Sequence, residues 1–240
     1  MLPPKRLARI AGILYVLMIG AGFNELYVRP RLIKSGDPTA TADNIRASAT
    51  LFRIGFFGDL MTGVIWMLTA MTLYLLLRHV NQLAAAAMVV FAVVGGTMQC
   101  LTQLNQITAL TIATGDEFTR NFGRLGSSGL TMLFIDMQNS GYVIATVFSG
   151  LWLAPLGYLA VKSGYFPKAL GVLLVVACCG YLLDVVTVFL LPAISTPVTL
   201  FITYPAAAAG ELTLMLWLLI KGVRVPAPDT PAPAMAGAAS

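Results

Sequence analysis

Lys168-Ala169-Leu170-Gly171-Val172-Leu173-Leu174-Val175-Val176-Ala177-Cys178-Cys179-Gly180-Tyr181-Leu182-Leu183-Asp184-Val185-Val186-Thr187-Val188-Phe189-Leu190-Leu191-Pro192 decides the fold class. Between Lys168 and Pro192 it holds a single charged residue, Asp184. About 20 mostly apolar residues suffice to cross the ~30 Å hydrocarbon core of a bilayer, so 169–191 reads as a transmembrane helix. Outward from it, runs of the same kind lie at 8–28, 54–77, 83–112, 129–161 and 199–220. None alternates with period two over ten-residue segments, which argues against a β-barrel. Backbone polar groups in lipid must then be satisfied within helices. The expected fold is an all-α integral membrane protein: a bundle of six transmembrane helices over 1–222, then a Pro- and Ala-rich cytoplasmic tail, 223–240. That tail composition cannot bury a core and reads as disordered.

Composition agrees. Of 240 residues, 58% are hydrophobic and 10% charged, with mean hydropathy +0.83; a soluble domain is about 25% charged. This excludes a coiled coil, a collagen and most soluble enzymes. The net charge of +5 does not point to nucleic acid, because the basic residues sit at the ends of apolar runs. The partner they imply is the lipid bilayer. Lys5, Arg6, Arg9, Arg78, Lys162, Lys168, Lys221 and Arg224 fall on one side, and of the ten acids only Asp229 joins them. Basic residues in short segments beside spans favour the cytoplasm, so both termini are expected inside, in the inner (plasma) membrane. Cys100, Cys178 and Cys179 lie within apolar runs and read as small packing residues. The basic start and Gly20-Ala21-Gly22 also resemble a signal peptide with its cleavage site, a minor alternative for the first span.

Two outer loops are long. In 29–53, Asp37 can cap a helix whose first residue is Pro38, with Ile45, Ala49 and Phe52 on one face at the interface. The second, 113–127, carries Asp116, Glu117, Arg120 and Arg124 among glycines and is expected to be a solvated loop. Pro155 and Pro205 can kink the fourth and sixth spans, and Pro192 and Pro197 bracket the last hairpin turn.

Ionisable groups in a bilayer cost about 2.5–3.5 kcal/mol each on insertion scales and so need a reason. Glu25 lies sixteen residues from Arg9, and Asp184 sixteen from Lys168; at ~1.5 Å rise per residue both sit roughly 24 Å from the inner basic end. Asp59, nineteen residues from Arg78, is roughly 28 Å out. Glu211 is ten residues from Lys221, hence ~15 Å in and nearest the midplane. Gln99, Gln103 and Gln106 share one face of the third span, toward the outer side. Converging, these seven residues would form an outward-facing polar pocket for a small polar solute, a cation or a proton. The opposing reading is structural: Glu25 pairs with Arg29 at i+4, and the glutamines join helices.

Three stretches carry a resemblance: Arg9-Ile10-Ala11-Gly12-Ile13-Leu14-Tyr15; the segment from Gly36-Asp37 through Asn44-Ile45 to Leu51-Phe52-Arg53; and Lys162-Ser163-Gly164-Tyr165-Phe166-Pro167-Lys168-Ala169-Leu170-Gly171-Val172-Leu173, continued by Gly180-Tyr181-Leu182-Leu183-Asp184. Up to about residue 190 the chain resembles the bacterial domain of unknown function family 4386. The resemblance implies a multi-pass bacterial membrane protein and no activity. The chain also echoes itself. Arg9, Gly12, Ile13, Leu14, Val16 and Glu25 align with Lys168, Gly171, Val172, Leu173, Val175 and Asp184, and Gly58-Asp59-Leu60 with Gly210-Glu211-Leu212. A duplicated two-helix hairpin, helices 1-2 and 5-6, would produce this; so would coincidence among residues common in spans.

Catalytic motifs fail on geometry. Gly126-Ser127-Ser128-Gly129 matches the G-x-S-G of rhomboid-like serine proteases, but the sole histidine, His79, belongs at the opposite membrane face. The tetrad reads instead as a helix start with a serine cap. Asp59 and Asp184 lack the contexts of intramembrane aspartyl proteases, and one histidine excludes bis-histidine haem. No cofactor, no metal site and no catalytic residue is expected. The leading function is transport or binding of a small solute or cation. The alternatives are an accessory or structural membrane protein, or an enzyme acting on a lipid-soluble substrate.

Overall fold

The structure, a computed structural model, describes residues 3–21 and 24–223, apart from the side chains of Ala21, Glu25 and Leu26. The Glu25 carboxylate and the tail from 224 onward therefore lie outside the described residues. Among those described, every regular element is helical. They are α1 (Pro4–Ala21), a π-helical turn (Asn24–Val28), α2 (Arg29–Leu32), α3 (Pro38–Ala47), α4 (Ala49–Leu77), α5 (Gln82–Thr114), α6 (Asp116–Leu151), α7 (Leu153–Lys162) and α8 (Lys168–Leu190). The last, α9 (Pro192–Lys221), runs through three further π-helical turns.

Five helices are long and apolar enough to cross a membrane: α4, α5, α6 joined to α7, α8 and α9. Helix α1 is apolar from Ile10 onward, but its eighteen residues include Lys5, Arg6 and Arg9. The helices form a closed ring in chain order, α1 against α4, α4 against α5, α5 against α6 and α7, these against α8, and α8 against α9, which returns to α1. Large apolar side chains cover the outside: Phe201 is 78% exposed, Ile220 74% and Leu190 72%. In water such a surface would aggregate; against acyl chains it is matched.

Lipid tails are as apolar as leucine, so helices associate in a membrane by close packing at small residues. A Cβ on Gly157 of α7 would stand 2.7 Å from the Gly171 carbonyl of α8, and one on Gly63 of α4 would stand 3.0 Å from the Gly96 carbonyl of α5. These glycines let the backbones touch. Two apolar cores result. One, toward the Lys5 end, is built on Tyr15, Leu73, Trp152, Leu156 and Leu174. A smaller one at the other end joins Val28, Ile45, Phe52, Ala109 and Ile135.

Local chemistry explains the boundaries. Asp37 accepts from the Ala40 amide at 2.9 Å with Pro38 next to it, the expected cap. Ser48 leaves helical geometry, so α3 stops at Ala47; Ala49 and Phe52 belong to α4, which begins five residues before the expected 54. Residues 116–122, expected as a solvated loop, are helical, with Asp116 and Glu117 in the first turn where the helix dipole favours acids. The break falls at Gly123, whose φ of 70° suits a residue without Cβ. Ser127 and Ser128 are thus interior to α6 and buried, not caps, and Ser127 donates to the Ile112 carbonyl. Pro155 acts through the carbonyls before it: the α6–α7 break is at Trp152. The last hairpin turns at Leu191 alone, with Pro192 at the first helical position and Pro197 inside α9. Pro197 and Pro205 remove two amide donors from α9, and i→i+5 turns lie at Thr199–Thr203 and Ala208–Leu212.

Candidate functional site

The polar side chains separate into three places. The first is an outer layer between the two apolar cores. Gln138 of α6 donates to Gln106 Oε1 at 2.8 Å and Gln103 Oε1 at 3.3 Å, and accepts from Arg29 Nη1 at 3.1 Å. Arg29 also reaches Asn139. Nearby, Asn24 of the π-helical turn donates to the buried Asp59 carboxylate of α4. Gly55 makes room for this pair, since any Cβ there would overlap the Asn24 amide.

The second place is a cavity of about 380 Å³ between α6, α8 and α9. Asp184 lines it and accepts from Thr199 Oγ1. Asn139, Tyr142, Thr146, Tyr181, Thr203 and Tyr204 add further polar groups to its wall.

The third is a cavity of about 230 Å³ inside the ring. Glu211 lines it, carried on the Ala208–Leu212 π turn. Gly210 sets that turn against α8: a Cβ there would lie 3.1 Å from the Leu173 carbonyl. Tyr181 Oη of α8 donates to Glu211 Oε1 at 2.7 Å, and Tyr15 Oη of α1 approaches Oε2 at 3.5 Å. Across the cavity, Gln99 of α5 donates to Tyr142 Oη at 2.9 Å. Trp66 and Trp152 form an edge-to-face corner of the wall, centroids 5.8 Å apart and planes at 75°. Among the described residues, no Lys, Arg or His lines it. Tyr142 and Tyr181 line both this cavity and the Asp184 cavity, so the two share a septum.

Of the residues singled out from sequence, Glu211 and Gln99 meet in one cavity and Asp184 lines its neighbour. Asp59, Gln103 and Gln106 lie in the outer layer. Sequence reasoning passes over Tyr15, Tyr142, Trp66, Trp152 and Gln138. A signal existed for Tyr15: six residues from Arg9, it sits ~9 Å in, within about a helical turn of the depth computed for Glu211. The tryptophans give no such signal, since an aromatic inside a span is ordinarily core. His79 lies 5.0 Å, ring to ring, from Tyr165 in the α7–α8 turn, beside Pro4 and Leu7. Ser128 lies in the part of α6 next to the α5 end, so the two share no site.

The sequence profile of the family described as domain of unknown function (DUF4386) matches residues 10–222. The chain therefore belongs to that family. An uncharacterized protein of Archaeoglobus fulgidus is 36% identical over 89 residues, which is 37% of this chain and 48% of the relative. The matched stretch thus spans about half the length of that relative. No solved structure matches.

Proposed function

We propose that this member of the DUF4386 family binds a small cation in the Glu211 cavity and passes it to or from the Asp184 cavity across the Tyr142–Tyr181 septum. One observation carries the reading: an acid set about 15 Å from the basic end of α9, held by tyrosine hydroxyls beside open volume, with no basic side chain among the described residues that line it. An intramembrane carboxylate with a structural role ordinarily has a counter-charge or a closed set of donors. Glu211 has tyrosine hydroxyls at its two oxygens but no counter-charge among the described residues of its cavity wall.

The proposal takes α1 as a sixth span, which its place in the ring supports. It sets the protein in the plasma membrane with Lys5 and Lys221 on the cytoplasmic side, as the basic residues favour. It also takes the match of Gly58-Asp59-Leu60 to Gly210-Glu211-Leu212 as a trace of duplication, with Glu211 the copy that became a site. Asp59, Gln103 and Gln106 support the second reading, helix joining, in their own layer, because their partners are protein groups.

The test is Glu211→Gln in reconstituted vesicles, with folded yield and cation uptake measured together. The expected result is normal yield and at least roughly a hundredfold loss of binding or flux, about 2.7 kcal/mol. Normal flux with normal yield would remove the cation role from Glu211.

A further inference from the structure

A different kind of space lies at the basic end of the bundle. A cavity of about 460 Å³ is lined there by Pro4 and Leu7 of α1, Leu75 and Leu76 of α4, Arg78 and His79 just beyond α4, and Tyr165 of the α7–α8 turn. Among the described residues it shares no wall with the Glu211 cavity. Pro4 and Leu7 stand three apart on α1, hence on one face of that helix. The α7–α8 turn passes through Gly164, whose φ is 69°, and then sends Phe166 into the apolar core while Tyr165 lines the cavity. The Tyr165 ring lies 5.0 Å from that of His79, and Arg78 sits over the Tyr74 ring at 5.9 Å.

The wall has two chemistries. Leu7 and Leu76 are buried, whereas Leu75 is 49% exposed, so the apolar side runs from the core out to the surface that meets acyl chains. Arg78 and His79 are both exposed at the end of α4. A guanidinium fork matches the geometry of a phosphate, and a histidine ring N–H can donate beside it. A soluble anion would use these two groups and leave the leucines to water. A bare hydrocarbon would use the leucines and ignore the cations. An anionic amphiphile uses both. Charge narrows the choice of head. Lys5, Arg6, Arg9, Lys162, Lys168 and Lys221 belong to the same end, and of the ten acids only Asp229 joins them in the sequence. A field of that sign favours a head with net negative charge over a zwitterionic one, as in basic pockets between spans that take anionic lipid heads.

We propose that this cavity is a binding site for an anionic phospholipid, its phosphate on Arg78 and His79 and the start of one acyl chain along Leu7, Leu76 and Leu75. The remainder of the chain continues over the lipid-facing side of α4. The site stands apart from the Glu211 cavity, and its occupation does not depend on a cation there.

Native mass spectrometry of the full chain in detergent, titrated with dioleoyl phosphatidylglycerol or dioleoyl phosphatidylcholine, tests it. Phosphatidylglycerol binds as a first lipid at least roughly fivefold tighter than phosphatidylcholine, about 1 kcal/mol. Arg78→Gln removes that preference. Lys162→Gln, which takes the same charge from the same end but outside the cavity wall, keeps it. Glycerol 3-phosphate, which has the phosphate without the chains, does not displace phosphatidylglycerol at a hundredfold excess. Should Arg78→Gln reduce the folded yield, the ranking of the two lipids on the unaltered protein still decides. Equal binding of the two lipids would overturn the site. Equal losses at Arg78 and Lys162 would replace it with diffuse surface attraction, and displacement by glycerol 3-phosphate would make the occupant a soluble anion. Binding that emerges only after residues 224–240 are removed would make that tail the occupant and overturn the assignment as well.

Discussion

The outer polar layer and the Glu211 cavity bury similar chemistry to opposite ends. Around Gln138 the hydrogen-bonding groups face one another: two glutamine oxygens accept from its amide, and Arg29 donates to its oxygen, although the Gln106 amide nitrogen is left without a partner. Around Glu211 the groups face open volume, and the described residues of the cavity wall supply two hydroxyls and no cation. Asp59 and Glu211 sharpen the contrast, because both follow a glycine and precede a leucine. One meets the Asn24 amide in a space that Gly55 leaves, the other a cavity. An acid inside a bundle is therefore not a site by its presence. What its lone pairs face separates a joint between helices from a place for a ligand.

The largest expected effect comes from moving one region without touching the other. Gly210→Leu would force α9 away from the Leu173 carbonyl and Ala177 of α8. Overpacking of this kind costs about 1–3 kcal/mol, and here it also displaces the Glu211 turn. Both thermal stability in detergent and cation binding should fall. Retained binding would mean that the cavity does not depend on this contact.

Gln138→Leu tests the other region. Interhelical hydrogen bonds in membranes average ~0.6 kcal/mol and reach ~1.7. Losing three around one hub predicts a loss of about 2 kcal/mol in unfolding free energy, with cation binding unchanged within about twofold. A variant that lost binding while keeping its stability would reverse the roles assigned to the two regions.

The bundle is legible because each span is a continuous apolar run with basic ends, a signal that needs no partner. Boundaries at the outer end are not: Ser48 stops α3, and residues 116–122 extend α6, through contacts between distant segments. Arg46 caps the Ala113 carbonyl at 2.8 Å, and Arg124 pairs with Asp43. Within the site, charge made Glu211 visible, because a carboxylate in a span breaks the pattern. Tyr15, Trp66 and Trp152 break no pattern, and what gives them meaning is the ring closure that brings α1 and α9 together. The glutamine face shows the same limit. Gln99, Gln103 and Gln106 share one helix face, yet Gln99 turns to Tyr142 while the other two meet Gln138, a partition made by α6.

The finest test lies between the two tyrosines of Glu211. Hydrogen bonds to a charged group contribute about 1.5–3 kcal/mol when well formed, and contact at 3.5 Å is near the limit at which one counts. Tyr181 at 2.7 Å is well formed; Tyr15 is not. Tyr181→Phe should weaken cation binding by about tenfold, some 1.4 kcal/mol, since the carboxylate loses the donor that orients it. Tyr15→Phe keeps the ring on Trp152 and removes a long contact, so binding should change by less than about twofold. Isothermal titration of the two variants against the same cation measures both. Equal losses would mean that the carboxylate moves between the tyrosines once a ligand enters. A larger loss at Tyr15 would place the bound cation on the α1 side of Glu211, away from the Tyr142–Tyr181 septum, and would break the proposed route between the cavities.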